Sequence, residues 1–328
     1  MPAASAIPIQ PLAPIPTWFR IGGRAERFAL LDAADLLSAC IELDPDLRVL
    51  GDGANLLVDD DGVPELVVQF VKPSAAALGE AFADALGSAP KAGRPVVRLP
   101  AGCELPEVIL HAVRAGLGGI EGLGGIPATL GGAVIMNAGG AFGQIADAVY
   151  RVHACDRTGA RLTLDRSAID FGYRQSGLNH LIITDVELSL HHSDPAALRA
   201  RLKEVMAYKK GTQPLAADSA GCVFKNPTLV ADAPALASLG WSGPTTAGSR
   251  VSAGFLIDKA GCKGLVVGGA GVSERHGNFI LTTPQALARD VISLMSQVRR
   301  RVFDRFGITL HPEVVIWSRR EVFPDSSH

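Results

Sequence analysis

Three side chains in this sequence are of the kinds that move protons or hold negative charge, and each sits in a distinctive neighbourhood. Cys222 lies in Gly221-Cys222-Val223-Phe224-Lys225-Asn226-Pro227, where a thiol is followed closely by a cation and an amide. A thiol of pKa about 8.5 is a far better acid than an alcohol. The alternative for Cys222 is an inert buried cysteine. Arg174 lies in Tyr173-Arg174-Gln175-Ser176. Its guanidinium presents a fixed fork of donors suited to a carboxylate or an enolate oxygen; the alternative is a surface ion pair on a strand. Glu313 lies within the apolar run Ile308 to Trp317. A carboxylate there is costly to bury unless paired or protonated, and alternation equally allows it to point outward from a strand.

Two glycine segments precede these residues. Leu50-Gly51-Asp52-Gly53-Ala54-Asn55-Leu56-Leu57-Val58 reads as a strand, a tight turn and a second short strand. Its glycines permit positive φ and let backbone N–H groups face an anion, and Asn55 adds an amide donor. An ordinary hairpin turn is the competing reading. The second segment carries glycines at 122, 124, 125, 131, 132, 139 and 140, which leaves little side chain to fill a core. Such backbone suits close approach to a planar or phosphorylated ligand. Neither segment is a Rossmann fingerprint or a P-loop, because no GxGxxG opens a helix and no GxxxxGK[ST] exists.

Composition narrows the class. The chain has 328 residues, 48% of them hydrophobic and 20% charged, with a formal net charge of -2. That is a globular composition with room for two or three domains. The charge argues against nucleic acid as a partner, and no apolar run reaches the roughly 20 residues that span a bilayer. Residues 1–16 carry prolines at 2, 8, 11, 14 and 16 and no charge. They read as an extended or disordered arm, not a secretory signal, so the cytoplasm is the expected location. The cysteines at 40, 103, 155, 222 and 262 form no CxxC pair. No metal site is expected, and all but Cys222 are expected to be small core hydrophobes.

The elements that must position these groups follow from periodicity and breakers. Strands are expected at 47–50, 56–58, 65–71, 149–154, 161–164, 181–190 and 308–317, and a helix at 105–115 that stops at Gly116. Further helices are expected over 194–210, opened by Asp194 and Pro195, and over 251–260 and 285–306. Residues 264–271 read as strand plus turn, and 74–96 as a helix and loop between subdomains. With no regular alternation of strand and helix, the fold class is α+β.

Taken in order along the chain, these motifs resemble the UDP-N-acetylenolpyruvoylglucosamine reductase (MurB) family. The two glycine loops are similar to those of flavoproteins of the vanillyl-alcohol-oxidase/PCMH type, and Arg20-Ile21-Gly22-Gly23 to the family's opening strand. The likeness runs from residue 17 to 317. It implies a two-subdomain FAD-binding domain over 17–192 (about 17–72 and 73–192), after the arm 1–16. A connecting helix over 193–210 and a substrate-binding domain over 211–320 complete it. The short interval between Arg174 and Cys222 resembles the family's second type, which lacks a tyrosine-bearing substrate loop.

The resemblance also implies an activity: reduction of UDP-N-acetylglucosamine enolpyruvyl ether to UDP-N-acetylmuramate by NADPH, through non-covalent FAD. Cys222, where the family most often carries serine, would be the proton donor, and Arg174 and Glu313 would stabilise developing charge. FAD would meet Gly51, Asp52, Gly53, Ala54, Asn55, Leu56, Gly124, Gly125, Ile126, Pro127, Thr129, Gly131, Gly132, Asn137, Ala138 and Gly139. Tyr173, Ser176, Lys225 and Asn226 would meet the substrate, with Lys209 and Lys210 as further cations for its diphosphate. Ser273 to Phe279 also resembles a family segment near the substrate. No membrane or nucleic-acid partner is implied, and a monomer is expected. The competing classes are a sugar or alcohol oxidase of the same fold and a non-catalytic nucleotide-sugar-binding relative.

Overall fold

The computed structural model describes residues 7–32, 35–89, 91, 93–320 and 322–323. They divide into two compact units. Unit 1 holds the described residues up to Ala13, Ala25–Asp52 and Pro64–Gly211; unit 2 holds Pro14–Arg24, Gly53–Val63 and those from Thr212 on. Segments 14–24 and 53–63 thus group with the C-terminal third of the chain.

Unit 1 begins with β1 (Ile9–Pro14), β2 (Arg24–Leu31), α1 (Asp35–Leu43) and β3 (Arg48–Leu50). The chain then crosses into unit 2 for β4 (Leu56–Val58) and returns with β5 (Val63–Phe70). The first sheet has the order β1-β2-β5-β3, and Ala29, Leu31, Leu37, Ile41, Leu66 and Val68 pack against it. The proline-rich arm is therefore an edge strand over 9–14. An edge tolerates Pro11 and Pro14 because a missing N–H costs no ladder bond there; residues 1–6 lie outside the described residues. The strand β2 and helix α1 are not anticipated by the sequence reading, and the strand expected at Arg20 starts only at Arg24.

The rest of unit 1 comprises α2 (Ala75–Gly87), β6 (Val96–Pro100), α3 (Leu105–Arg114), β7 (Leu117–Gly118), α4 (Leu130–Ile135), β8 (Gly139–Gly140), β9 (Gly143–Gln144), β10 (Val149–Cys155), β11 (Arg161–Asp165), β12 (Ile182–Ser189), β13 (His191–His192) and α5 (Pro195–Thr212). An antiparallel sheet runs β11-β10-β12-β6. Alternation separates its faces, as a period of two requires. Val97, Leu99, Val152, Val186 and Leu188 enter one core cluster with the apolar stripe Leu105, Val108, Ile109 and Ala112 of α3. The other face carries ion pairs, among them Arg98–Asp185 at 3.2 Å and Arg151–Asp165 at 2.7 Å. Asp194 opens α5 as expected, accepting from the Ala196 and Ala197 amides.

Unit 2 contains β4, α6 (Ala235–Ser238), α7 (Ala253–Lys259), the antiparallel strands β14 (Val266–Val267), β15 (Ala270–Val272) and β16 (Ile280–Thr282), then α8 (Ala288–Phe306) and β17 (Val315–Trp317). One stripe of α8, with Val291, Leu294, Met295, Val298 and Val302, is buried with Leu256, Ile257 and Phe224. Asp60 caps α8 by accepting from the Ala288 and Arg289 amides at 2.8 and 3.1 Å, and Gly307 ends it at φ 65. The strand expected over 308–317 is regular only over 315–317. Pro312 has no N–H to give, and residues 311–314 pair through isolated bonds instead.

Candidate functional site

The first glycine segment is not a hairpin. β3 pairs in parallel with β5 in unit 1, whereas β4 pairs in parallel with β17 in unit 2, so the two short strands serve different sheets. Gly51 is packed closely against the second segment: a Cβ added there would lie 2.7 Å from Thr129 Oγ1. That oxygen is already engaged, because Thr129 caps α4 by accepting from the Gly132 amide at 3.2 Å. Asp52 forms an ion pair with Lys72, which also binds Glu104. Gly53 has φ 65 and no room for a side chain, with Pro16 O 2.1 Å from an added Cβ. Gly124 and Gly125 lie as tightly on α5, against Leu202 and Met206. Side-chain-free backbone is therefore demanded by packing at Gly51, Gly124 and Gly125 within unit 1.

Arg174 sits in a turn and not on a strand. Gly172 and Gln175 bridge it by paired backbone bonds of 3.0 and 3.4 Å. Arg174 itself has φ 57, a left-handed conformation that non-glycine residues seldom adopt. Its guanidinium lies 5.2 Å from the Tyr173 ring centroid. Burial, and then the positive charge of Arg174, push the Lys209 ammonium down to about 8. A like-charge influence of that kind brings two cations of unit 1 into one field, where an anion is favoured. Asn137 and Ser176, expected to touch ligands, are 2% and 1% exposed. Asn137 Nδ2 donates to Gly172 O at 2.8 Å and to Gln144 Oε1 at 3.1 Å, and its Oδ1 accepts from the Ala146 amide. Ser176 Oγ donates to Ile135 O at 2.9 Å.

In unit 2 the Cys222 segment is the middle of three neighbouring stretches. On one side Cys222 bridges Phe279, and the Val223 amide donates to Asn278 O. On the other side the Glu313 amide donates to Val223 O at 2.8 Å and the Lys225 amide to His311 O. Cys222 and Glu313 are thus set by one short backbone ladder. Asn55, anticipated as an anion donor, gives its Nδ2 to Glu313 O at 3.0 Å. Asn226 accepts from the Ala253 amide, the first of α7, at 2.9 Å beside the Ser252 cap of that helix, while Lys225 is half-buried. Cys222 is also half-buried, in contrast to Cys40, Cys103, Cys155 and Cys262, which are buried. Burial raises those four thiols, Cys103 to about 12.

Sequence reasoning assigned no role to Asn278. It is 2% exposed, and its amide clamps one residue, accepting from the Phe224 amide at 3.0 Å and donating to Phe224 O at 2.8 Å. Its setting in Gly277-Asn278-Phe279, within a segment already singled out, was the available signal. His276 lies beside it, with Nδ1 accepting from the Asn278 amide and its ring 4.8 Å from that of Phe279. Burial holds its pKa below the usual histidine value.

The comparisons with known proteins bear on this arrangement. A family model for the C-terminal domain of UDP-N-acetylenolpyruvoylglucosamine reductase matches residues 213–317. A UDP-N-acetylenolpyruvoylglucosamine reductase of Syntrophobacter fumaroxidans is 38% identical over 307 residues, covering 92% of this chain and 81% of its own length. One from Paramagnetospirillum magneticum is 37% identical over 308 residues, covering 93% and 89%. The chain belongs to the UDP-N-acetylenolpyruvoylglucosamine reductase family. The crystal structure of MurB from Thermus caldophilus superposes with a TM-score of 0.73 at 37% identity, over 95% of this chain and 99% of that one. The α+β fold expected from the sequence is therefore the fold of this reductase family.

What a MurB-type chain must hold can be tested against its residues. A dinucleotide cofactor needs a surface that receives phosphates on backbone amides with no side chain in the way. Gly51, Gly124 and Gly125 leave the backbone of unit 1 without side chains, but their open sides face Thr129, Leu202 and Met206, and the Gly124 and Ile126 amides already donate to Glu121 O and Leu123 O. The case for FAD rests on membership of the reductase family, with these glycines as the backbone that would meet it. The described residues contain no group of three or more His, Cys, Asp and Glu that could hold a metal ion. No helix among them is long and apolar enough to cross a membrane.

Proposed function

We propose that this chain reduces UDP-N-acetylglucosamine enolpyruvyl ether to UDP-N-acetylmuramate in peptidoglycan precursor synthesis, with NADPH as reductant and FAD bound non-covalently. The observation that carries this reading is the 38% identity to a reductase of that name over 92% of the chain. In the same reading the protein acts in the cytoplasm as a monomer, and its product serves cell-wall biogenesis, and with it cell shape and division. In this reading residues 17–192 hold the flavin, 193–210 connect and 211–320 carry the substrate side, although 17–24 and 53–63 group with the C-terminal unit and 193–210 with unit 1.

The reaction adds one hydride and one proton across the enol ether double bond, and NADPH leaves as NADP+. FAD, when bound, would supply the two-electron carrier between NADPH and substrate, and Gly51 to Leu56, Gly124 to Pro127, Thr129, Gly131, Gly132, Ala138 and Gly139 are the residues that would hold it. In unit 1 Lys209 or Lys210 is the candidate cation for the diphosphate, with Tyr173 beside Arg174 for the sugar nucleotide; in unit 2 the candidates are Lys225 and Asn226. When hydride reaches the terminal vinyl carbon, negative charge moves onto the substrate carboxylate. Arg174 stabilises that charge with its donor fork. Glu313 does so as a protonated donor, since an ionised carboxylate would repel it. Cys222 then gives its Sγ proton to the carbon that bears the carboxylate, and the thiolate regains a proton from solvent.

Anaerobic stopped-flow tests this. Purified protein is reduced with NADPH and mixed with the enolpyruvyl sugar while flavin absorbance is followed. Reoxidation by that substrate is the expected result. Reduced flavin that oxygen reoxidises and the sugar does not would move the assignment to an oxidase, and protein without flavin would move it to a binding module.

A further inference from the structure

Two residues expected to touch ligands have their side chains turned to another task. Asn137 follows α4, at the C-terminal side of the second glycine segment, in a left-handed conformation of φ 42. All three of its side-chain hydrogen bonds go to protein: to Gly172 O, to Gln144 Oε1 and from the Ala146 amide. Ser176 is 1% exposed. Its hydroxyl donates to Ile135 O at 2.9 Å and accepts from the Leu178 amide at 3.4 Å. Gly172 and Ser176 flank Arg174 on either side by two residues. The strained turn that projects Arg174 is therefore pinned at one end by Asn137 and at the other by Ser176. Both pins are anchored in residues 135–146, the continuation of the glycine segment.

We propose that Asn137 and Ser176 are positioning residues for Arg174, fixing its donor fork through the Gly172–Gln175 turn before substrate arrives. A left-handed arginine persists only where its surroundings over-determine it, and these two buried hydrogen-bonding groups supply that constraint. In this role neither side chain needs to touch cofactor or substrate. The role rests on the reading of Arg174 as the group that meets the substrate carboxylate.

The test compares the two half-reactions of the holoenzyme for Arg174→Ala, Ser176→Ala, Asn137→Asp and the double variant Ser176→Ala/Arg174→Ala. Arg174→Ala is expected to slow reoxidation by the enolpyruvyl sugar by about 100-fold or more, the usual effect of losing a donor to developing charge. Ser176→Ala and Asn137→Asp are expected to slow the same step about 10-fold through misplacement of that donor. Reduction by NADPH should stay within about twofold in both, since Arg174 acts later. The double variant should be no slower than Arg174→Ala alone, because a residue acting through another has no effect once that other is gone. Wild-type reoxidation in Ser176→Ala and Asn137→Asp, or a Ser176 effect that persists in full without Arg174, would overturn the positioning role. A parallel fall of both half-reactions would overturn it too, as the mark of a merely structural defect. Wild-type reoxidation in Arg174→Ala would instead remove the role of Arg174 on which the inference stands. If Ser176→Ala does not fold, Asn137→Asp with its own Arg174→Ala double decides the question.

Discussion

Replacing Asn278 by aspartate changes one donor atom at nearly constant volume, and the structure gives the cost. In the native protein one amide oxygen accepts from the Phe224 amide at 3.0 Å, and the amide nitrogen donates to Phe224 O at 2.8 Å. Asn278→Asp preserves the first contact and turns the second into oxygen against oxygen. Both residues are almost fully buried, so water cannot relieve the clash. A buried group left without its partner costs about 1–3 kcal/mol, and more when it is charged; about 3 kcal/mol is expected for the ionised variant. Protonating the new carboxyl restores a donor. Its folded-state pKa therefore rises above the ~3.9 of a solvated aspartate, by about 2 units for 3 kcal/mol. A raised folded pKa means stability that is present below ~3.9 and lost as pH climbs through the raised value. The penalty relative to native protein should be small near pH 4, grow across pH 4 to 6 and stay level above that. Urea unfolding of both proteins from pH 4.5 to 8 reads it as a difference in midpoint. A penalty that is equal at pH 5 and pH 8, or absent at pH 8, would refute the reasoning.

Four other outcomes are expected. Lys209, pushed down to about 8, carries its charge below that pH; KM for the UDP-sugar should rise as pH moves from 7 to 9, and Lys209→Arg should flatten the rise. A flat native profile would take Lys209 off the diphosphate. Iodoacetamide should label Cys222 alone, since the other thiols are buried. Substrate-driven reoxidation should survive Cys222→Ser within about tenfold and fall at least about 100-fold in Cys222→Ala, the range for a lost general acid. Gly51→Ala places a methyl 2.7 Å from Thr129 Oγ1, and should weaken FAD retention about tenfold, read as flavin absorbance remaining after gel filtration.

Much of the fold was legible where a single physical signal dominated. Apolar residues at helical spacing located α3 and α8, and Asp194 with Pro195 located the start of α5. β2 and α1 escaped because Arg24 to Leu43 mixes charge and apolar residues without a strong period. The site was legible as a set of motifs but not as an arrangement. Nothing in the Tyr-Arg-Gln-Ser spelling announces a left-handed arginine. Nothing in a buried serine or asparagine says whether its hydrogen bonds run to a ligand or to the chain. Asn55, Asn137 and Ser176 all resolve toward the chain, and that depends on neighbours far away in sequence.

The crossing of the chain into unit 2 and back at residues 53–63 bears on how the protein is made. β4 leaves early in synthesis, yet its ladder partner is β17, the last strand. The Asn55 contact to Glu313 spans 258 residues, and the Asp60 cap on α8 spans 228. Closing loops of that length is entropically slow and must precede any reward from the contacts. While the ribosome works, β4 is a strand whose template has not been translated, and Asp60 is a cap without a helix. Unit 1 has its own sheets and core by residue 211. Truncation before Val315 would remove β17, leaving β4 with an open edge of the kind that recruits other chains. Truncations that remove β17 should therefore send this protein toward aggregation while unit 1 stays folded.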